Sequence, residues 1–327
     1  MSNSFWNGKT ILLTGGTGSF GRRFTETLLR HHNPKALRIF SRDELKQHDM
    51  DKHFHDERLR FFLGDVRDKD RLVRAMTGAD LVVHAAALKQ VPACEYNPLE
   101  AVKTNILGAA NIIDAAIDRD VSRVIALSTD KAVNPVNLYG ATKLCAEKLF
   151  VQGNSYVGSG STRFASVRYG NVIGSRGSVV PIFKEQAKTG EITITDPRMT
   201  RFWITLTQGV EFVLSCTERM RGGEVFVPKI PSMKMTDLVR AMSADAGIDV
   251  VGIRPGEKLH EMMISADDAR STVDLGDRYA IEPAFVEYPR VPFPRGGVDE
   301  DFSYASDSNT DWLSDAQLRA MVEDKLA

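Results

Sequence analysis

Cysteine is scarce in this chain. The 327 residues hold three, Cys94, Cys145 and Cys216, far apart and without metal-type spacing. That pattern argues against a disulfide framework or a zinc site and fits a reducing compartment. Long apolar runs are missing too. Nothing approaches the roughly 18 consecutive apolar residues that a membrane span needs, so no membrane partner is expected. The opening stretch MSNSFWNGKTILLTGG runs into a strand pattern without a basic region and a long apolar core, so no signal peptide is expected and the cytoplasm is the expected location. An excess of one charge is also absent. Lys and Arg number 42 against 43 Asp and Glu, a net charge of −1. A polyanion-binding surface, and nucleic acid as a partner, are therefore not expected; an anionic ligand must be gripped by local arginines and lysines. There is no internal repeat and no low-complexity tract.

What is present reads as an α/β protein. Hydrophobic residues at 43% and charged residues at 26% suit an ordinary globular core. In the first half, short apolar runs alternate with helical spacing. Thr10–Thr14, Leu37–Ser41, Leu59–Leu63, Leu81–His84, Val124–Ser128 and Ala165–Arg168 read as buried strands, and Phe20, Phe24, Leu28 and Leu29 fall on one helical face. The alternation predicts a doubly wound parallel sheet of the Rossmann type, covered on both faces. After about Gly170 the segments shorten and Gly, Pro and Thr punctuate them, which predicts a smaller α/β region closing over the sheet. Glu224–Val227 is expected to return to the main sheet, Glu287–Ser306 to run extended, and Asp311–Lys325 to form a terminal helix.

The run Gly15-Gly-Thr-Gly-Ser-Phe-Gly21 follows the first strand and opens the first helix. Glycines at three-residue intervals permit a tight turn, close backbone approach to a pyrophosphate and close helix–strand packing. The helix N-terminus then meets the phosphates with its N–H groups and positive dipole end. Gly15, Thr17, Gly18, Ser19, Phe20 and Gly21 are the candidate dinucleotide contacts. At the end of the second strand, where an acidic residue would favour NAD, stand Ser41 and Arg42, with Lys46 one turn on. A hydroxyl and a guanidinium suit a 2′-phosphate, so NADP is the expected cofactor. The competing reading makes Arg42 a solvated helix-start residue and Asp43 a helix cap. Asp65 and Val66 are placed to read an adenine edge, unless Asp65 is only a turn residue; Ala85, after the fourth strand, completes this set. Residues 1–170 are thus read as the NADP-binding domain and 171–327 as mainly substrate-binding, with segments returning to the sheet.

Tyr139 and Lys143 stand at i and i+4, on one face of a helix. A nearby ammonium favours the phenolate, which can take a hydroxyl proton as hydride leaves the same carbon. The fifth strand ends in Ser128-Thr129-Asp130-Lys131, at the sheet edge where ligands of such folds lie.

The motifs GGTGSFG, FSRDELKQ, HAAALKQVP, STDKAVNPVNLYGATK, YGNVIGSRGSVVP, RPGEKLHE and the DWLSDAQL tail resemble those of the extended short-chain dehydrogenase/reductases, and within them the inverting UDP-N-acetylglucosamine 4,6-dehydratases of pseudaminic acid synthesis. The resemblance covers essentially the whole chain. Retaining dehydratases carry Thr-Asp-Glu where this chain reads Thr129-Asp130-Lys131, and the short bridge AVNPVNL between that turn and Tyr139 also matches the inverting group. The resemblance implies a catalytic set of Thr129, Asp130, Lys131, Tyr139 and Lys143. Tyr139 takes the proton from the carbon 4 hydroxyl, Lys131 takes the carbon 5 proton, and Asp130 assists loss of water from carbon 6. Hydride lent to NADP returns at carbon 6, and carbon 5 is reprotonated from the opposite face. The implied product is UDP-2-acetamido-2,6-dideoxy-β-L-arabino-4-hexulose. For these roles Lys131 must be neutral, through burial or through Lys143, and Asp130 must be protonated. The resemblance further implies a UDP-sugar site at Lys89, Asn171, Arg201, Arg254 and Glu257, with Thr195 and Met199 near the nucleoside, and a homo-oligomer, hexamer or dimer. Lys258 is a further cation in this region. His84 and His260 are read as ending a strand or orienting a loop. Rival readings are a UDP-sugar 4-epimerase, a dehydratase with added 3-epimerase activity, and a non-catalytic NADP-binding regulator.

Overall fold

The structure, a computed structural model, describes residues 5–173, 179–294 and 296–323. Its first half runs β1 (Thr10–Thr14), α1 (Ser19–His31), β2 (Ala36–Ser41), α2 (Glu44–Phe54), β3 (Leu59–Leu63), α3 (Lys69–Met76), β4 (Leu81–His84), α4 (Val91–Tyr96), α5 (Pro98–Ala101), a π-helical stretch Val102–Leu107, α6 (Gly108–Asp118), β5 (Arg123–Leu127), a 3-10 turn Asp130–Ala132, α7 (Leu138–Gly153) and β6 (Arg163–Val167). Then come β7 (Asn171–Ile173), α8 (Val179–Ala187), β8 (Glu191–Ile194), β9 (Thr200–Thr205), α9 (Leu206–Arg219), β10 (Val225–Pro228), β11 (Ser232–Lys234), α10 (Met235–Met242), β12 (Gly247–Val250), β13 (Met262–Ile264), α11 (Ala266–Ala269), β14 (Thr272–Asp274), β15 (Arg278–Ile281), β16 (Tyr304–Ala305) and α12 (Asp315–Glu323).

Nine strands form one sheet in the order β14-β15-β10-β6-β5-β4-β1-β2-β3. It is parallel from β3 to β10 and antiparallel across β10, β15 and β14. Buried on both faces, β1 reads TILLT without alternation. Ile11 and Leu13 pack on one face with Phe24 and Leu28 of α1 and Val210 and Val213 of α9; Leu12 packs on the other with Leu72, Ile112 and Phe150. The strand order reverses at β1, which sends α1 and α6 to opposite faces and opens a crevice beyond the strands' carboxyl ends. Over that crevice sit the β11-β9-β7 sheet and the β8–β12 and β13–β16 pairs, with a separate core around Trp203, Ile192, Leu238 and Leu318. Cys94 and Cys216 are buried free thiols and Cys145 an exposed one. Among the described residues no helix is long and apolar enough to cross a membrane.

The parallel sheet and the return of a strand near 224–227 agree with the sequence. Several boundaries differ by a few residues, β2 beginning at Ala36 and β10 spanning Val225–Pro228 among them. β5 and β6 begin at Arg123 and Arg163, which face each other in register, so the ladder reaches arginines that polarity alone leaves out. The strands correspondingly stop at Leu127 and Val167. The terminal helix starts at Asp315 instead of Asp311, because the backbone of Asp311 and Leu313 is hydrogen-bonded to Ser232. Lys325 and the 174–178 part of YGNVIGSRGSVVP lie outside the described residues.

Candidate active site

A cavity of about 1000 Å³ opens at the crevice, lined from the glycine turn at one end to β7 and Trp203 at the other. It is large enough for a dinucleotide and a second extended ligand.

The turn is built for close approach. Gly15 has φ +67°, and a Cβ there would stand 2.9 Å from the backbone of Ala85 and Ala86. A Cβ on Gly21 would overlap the backbone of Gly16, so Gly21 packs helix on strand and does not line the cavity. α1 begins with Gly18 as N-cap and no capping side chain, which leaves the helix end shaped for a ligand anion. Thr17, Gly18, Ser19 and Phe20 line the cavity beside Gly15.

At the adenosine end, Ser41, Arg42, Lys46, Asp65 and Val66 all line the cavity. Asp43 does cap α2, accepting from Lys46 N at 3.0 Å, and its carboxylate also takes the Lys46 ammonium. This pairing removes Lys46 as an uncommitted phosphate ligand. Arg42 stays 57% exposed, 3.7 Å from Asp65. Asp65 in turn accepts from the Arg67 backbone and guanidinium, so its carboxylate is already shared.

At the other end, the turn after β5 and the first turn of α7 are pressed together. Thr129 Oγ1 donates to Asp130 Oδ1 at 2.8 Å, and Lys131 Nζ donates to the same oxygen at 3.1 Å. Asn137 caps α7 through Gly140 N and donates its amide to Gly256 O, both at 2.8 Å. A Cβ on Gly140 would overlap the Lys131 carbonyl, so glycine after Tyr139 is what lets helix and turn meet. Thr129, Lys131, Tyr139, Lys143, Ala85, Lys89 and Asn171 line the cavity; Asp130 is fully buried behind them.

The electrostatics depart from expectation at two residues. Burial holds the Tyr139 phenol up, at about 12, and the cation that draws it down is Lys131 rather than Lys143. Lys143 is itself lowered to about 8 by burial, against the pull of Glu147, and donates to Leu127 O at 2.6 Å. Lys131 is raised, not lowered: burial pushes it down, but Asp130 and Glu261 together push it up further. The need for a neutral amine is therefore not met by burial or by Lys143.

On the expected substrate side, Arg201 is buried and its guanidinium donates to Thr200 O (2.7 Å), Leu259 O (3.0 Å) and Lys258 O (3.0 Å). It clamps a loop and is absent from the cavity lining. Arg254 is 68% exposed and 4.0 Å from Glu257. Thr195 and Met199 touch each other, 2.9 Å from Oγ1 to Sδ. None of these residues lines the cavity. Lys258 Nζ donates to Val133 O, tying the same loop to the residue that follows the Asp130–Ala132 turn. His84 ends β4 with Nδ1 2.8 Å from Thr14 Oγ1 and is held near 3 by burial and Lys143. His260 Nδ1 lies 2.8 Å from Thr200 Oγ1. Both match their non-catalytic reading.

Sequence reasoning missed Glu261, a buried carboxylate 3.3 Å from Lys131 Nζ. Its only signal was its place as the last residue of RPGEKLHE. It also missed Asn137 and Gly140, whose roles lie in backbone geometry.

With this geometry in place, the chain was compared with known proteins. Residues 11–283 match the family model described as polysaccharide biosynthesis protein. A Campylobacter jejuni protein named UDP-N-acetylglucosamine 4,6-dehydratase (inverting) is 54% identical over 97% of this chain and 98% of its own length. A Rickettsia akari protein named UDP-glucose 4-epimerase is 46% identical over 84% of this chain and 82% of its own. The X-ray structure of Pen from Bacillus thuringiensis superposes with a TM-score of 0.89 at 38% identity, covering 98% of both chains.

Proposed function

The chain belongs to the polysaccharide biosynthesis protein family, and from that premise we propose that it removes water from UDP-N-acetylglucosamine across carbons 5 and 6, with inversion at carbon 5. The observation that carries this reading is the Asp130–Lys131 pair, 3.1 Å apart, with Lys131 lining the cavity beside Tyr139 and Asp130 buried directly behind them. A dehydrogenase or an epimerase needs only the tyrosine and a cation; a neighbouring acid and base are what an elimination adds. The 54% identity to an enzyme with that name supports the same substrate.

The glycine turn fits a nicotinamide dinucleotide: Gly18 opens α1 without a capping side chain, and that helix end lines the cavity. Gly15, Thr17, Gly18, Ser19 and Phe20 would hold the pyrophosphate, Asp65 and Val66 the adenine, and Ala85, Tyr139 and Lys143 the nicotinamide end. Arg42 favours NADP, as a guanidinium open to a 2′-phosphate. When bound, the cofactor supplies a hydride acceptor for carbon 4 and a donor for carbon 6. Tyr139, drawn towards its phenolate by the Lys131 ammonium, would receive the carbon 4 hydroxyl proton in that form. Lys131 Nζ stands 3.1 Å from Asp130 Oδ1, so one proton can be shared between them; the elimination needs it on Asp130, against the bias of the two carboxylates that flank the ammonium. Lys131 takes the carbon 5 proton, and Asp130 gives its proton to the departing carbon 6 hydroxyl. The region after residue 170, with Asn171, Arg254 and Glu257, would meet the nucleotide sugar.

Turnover of UDP-N-acetylglucosamine in heavy water tests this. NMR is expected to show a 4-keto-6-deoxy sugar with deuterium at carbon 5 in inverted configuration, and Lys131→Ala is expected to lose at least about a hundredfold in rate while still binding cofactor. Retained configuration would refute the role of Lys131. A product of unchanged mass would point to the 4-epimerase activity named for the Rickettsia akari relative.

A further inference from the structure

Glu261 precedes β13 and is 2% exposed. Its backbone is fixed from both sides by one residue: Glu261 N donates to Ser306 Oγ at 2.9 Å, and Ser306 N donates to Glu261 O at 2.8 Å. Ser306 Oγ also lies 2.7 Å from Thr200 Oγ1 on β9, so three separate segments set this position. Glu261 Oε1 is 3.3 Å from Lys131 Nζ and 3.8 Å from Arg201 Nε. The ammonium therefore sits between two carboxylates, Asp130 and Glu261. Each keeps a second oxygen, Asp130 Oδ2 and Glu261 Oε2, that is buried without a hydrogen-bond partner among the described residues. A buried carboxylate with an idle oxygen is costly. Glu261 also faces Arg201, but Lys131 is the nearer of its two cations, and that placement points to a role in the chemistry.

We propose that Glu261 is a positioning residue for the dehydration step: its fixed charge holds the Lys131 amine beside Asp130 and stabilises the ammonium that forms as the carbon 5 proton arrives. The proposal deepens the dehydratase reading and rests on it. Before elimination the triad holds one proton, on Asp130, with Lys131 neutral and Glu261 ionised. The carbon 5–hydrogen bond breaks, its electron pair forms the carbon 5–carbon 6 double bond, and the carbon 6–oxygen bond breaks. Water leaves with the proton from Asp130, and Lys131 keeps the carbon 5 proton. The triad carries the same net charge before and after, while a positive charge has formed on Lys131, within 3.3 Å of Glu261, and a negative one on Asp130. An ionised partner at that distance in a shielded site makes the amine a stronger base. Asp130 on the same turn, Glu261 before β13, Arg201 on β9, Tyr139 on α7 and Lys258 on the adjoining loop are the charged and titratable groups facing Lys131. The two carboxylates outweigh burial and Arg201 among them.

Glu261→Gln separates this role from a structural one. With UDP-N-acetylglucosamine, water loss is expected to slow by roughly tenfold or more while oxidation at carbon 4 continues. Reduced nicotinamide, followed by its near-ultraviolet absorbance, should then accumulate in the steady state. Glu261→Asp, which keeps the charge, should abolish that build-up even if the overall rate is reduced. Absence of any build-up of reduced cofactor in Glu261→Gln would overturn the proposal. If Glu261→Gln fails to bind cofactor, Glu261→Asp decides: build-up of reduced cofactor despite the retained carboxylate overturns it. Failure of the unsubstituted enzyme to dehydrate the sugar would instead count against the dehydratase reading itself.

Discussion

Arg42 and Lys46 carry the same charge, stand one turn apart, and differ in what they can still bind. The Lys46 ammonium is held by Asp43, the cap of its own helix. The Arg42 guanidinium is 3.7 Å from its nearest carboxylate and mostly in solvent, leaving a planar fork for a phosphate. Arg42→Ala is therefore expected to weaken NADP binding by roughly tenfold or more while changing NAD binding little. Cofactor titrations with both dinucleotides check this, and an equal loss for both would remove Arg42 from the 2′-phosphate. Side-chain identity at this scale was readable: Gly15, Arg42, Tyr139 and Lys143, read from type and spacing, and Lys131, singled out by the family resemblance, all border the cavity. Charge state was not. Spacing on a helix paired Tyr139 with Lys143, whereas the cation acting on the phenol is Lys131, brought in by a turn of a different segment. Likewise Arg201 looked like a phosphate anchor because nothing in its sequence neighbourhood shows that backbone carbonyls from Lys258 and Leu259 will saturate it.

At the scale of elements, the site depends on how closely α7 approaches the 3-10 turn Asp130–Ala132. Asn137 pins the helix start, Glu95 Oε1 of α4 accepts from Leu138 N at 2.6 Å, and Gly140 removes the side chain that would keep the Lys131 carbonyl away. Gly140→Ala retains helix propensity, so its effect isolates the contact. The methyl must displace the turn that carries Lys131 and Asp130. A shift on the order of 1 Å there costs roughly a hundredfold in turnover, with about 1–3 kcal/mol of stability lost to overpacking. Cofactor affinity should fall much less, because the glycine turn lies at the other end of the cavity. Parallel measurement of kcat, cofactor Kd and denaturant midpoint checks it; a loss of cofactor affinity matching the loss of rate would show that the whole domain is disturbed. The sequence places Tyr139 and Lys143 on one helix face correctly, since period 3.6 is a local property. The meeting of helix and turn is a tertiary property, and Gly140 looks like any other residue of YGATK until the two are brought together.

Across the whole molecule, α7 is joined to the later region by a buried ion triad. Arg168, just past β6, donates to Glu147 of α7 through Nε (2.9 Å) and Nη2 (2.6 Å), and its Nη1 donates to Asp268 of α11 and to Met263 O of β13, both at 2.9 Å. Glu147 is one turn beyond Lys143 on α7 and is the charge that holds the Lys143 ammonium up against burial. The main sheet, the cofactor-facing helix and the segments behind Glu261 thus share one cation. Such a triad contributes little net stability when intact, because burial of its charges costs about what their attraction returns. Breaking it is another matter: Arg168→Met leaves Glu147 buried without its partner, and a loss of about 3–5 kcal/mol is expected. Equilibrium denaturation would measure it. Replacing Glu147 together with Arg168, as Arg168→Met with Glu147→Leu, should recover much of that loss, since no unpaired charge then remains. The same double variant removes the charge that raises Lys143, so its stability and its cofactor chemistry are expected to part: refolded, yet with the Lys143 ammonium titrating below its value of about 8. If the double variant is as unstable as the single one, the triad acts through packing of the Arg168 stem and not through charge.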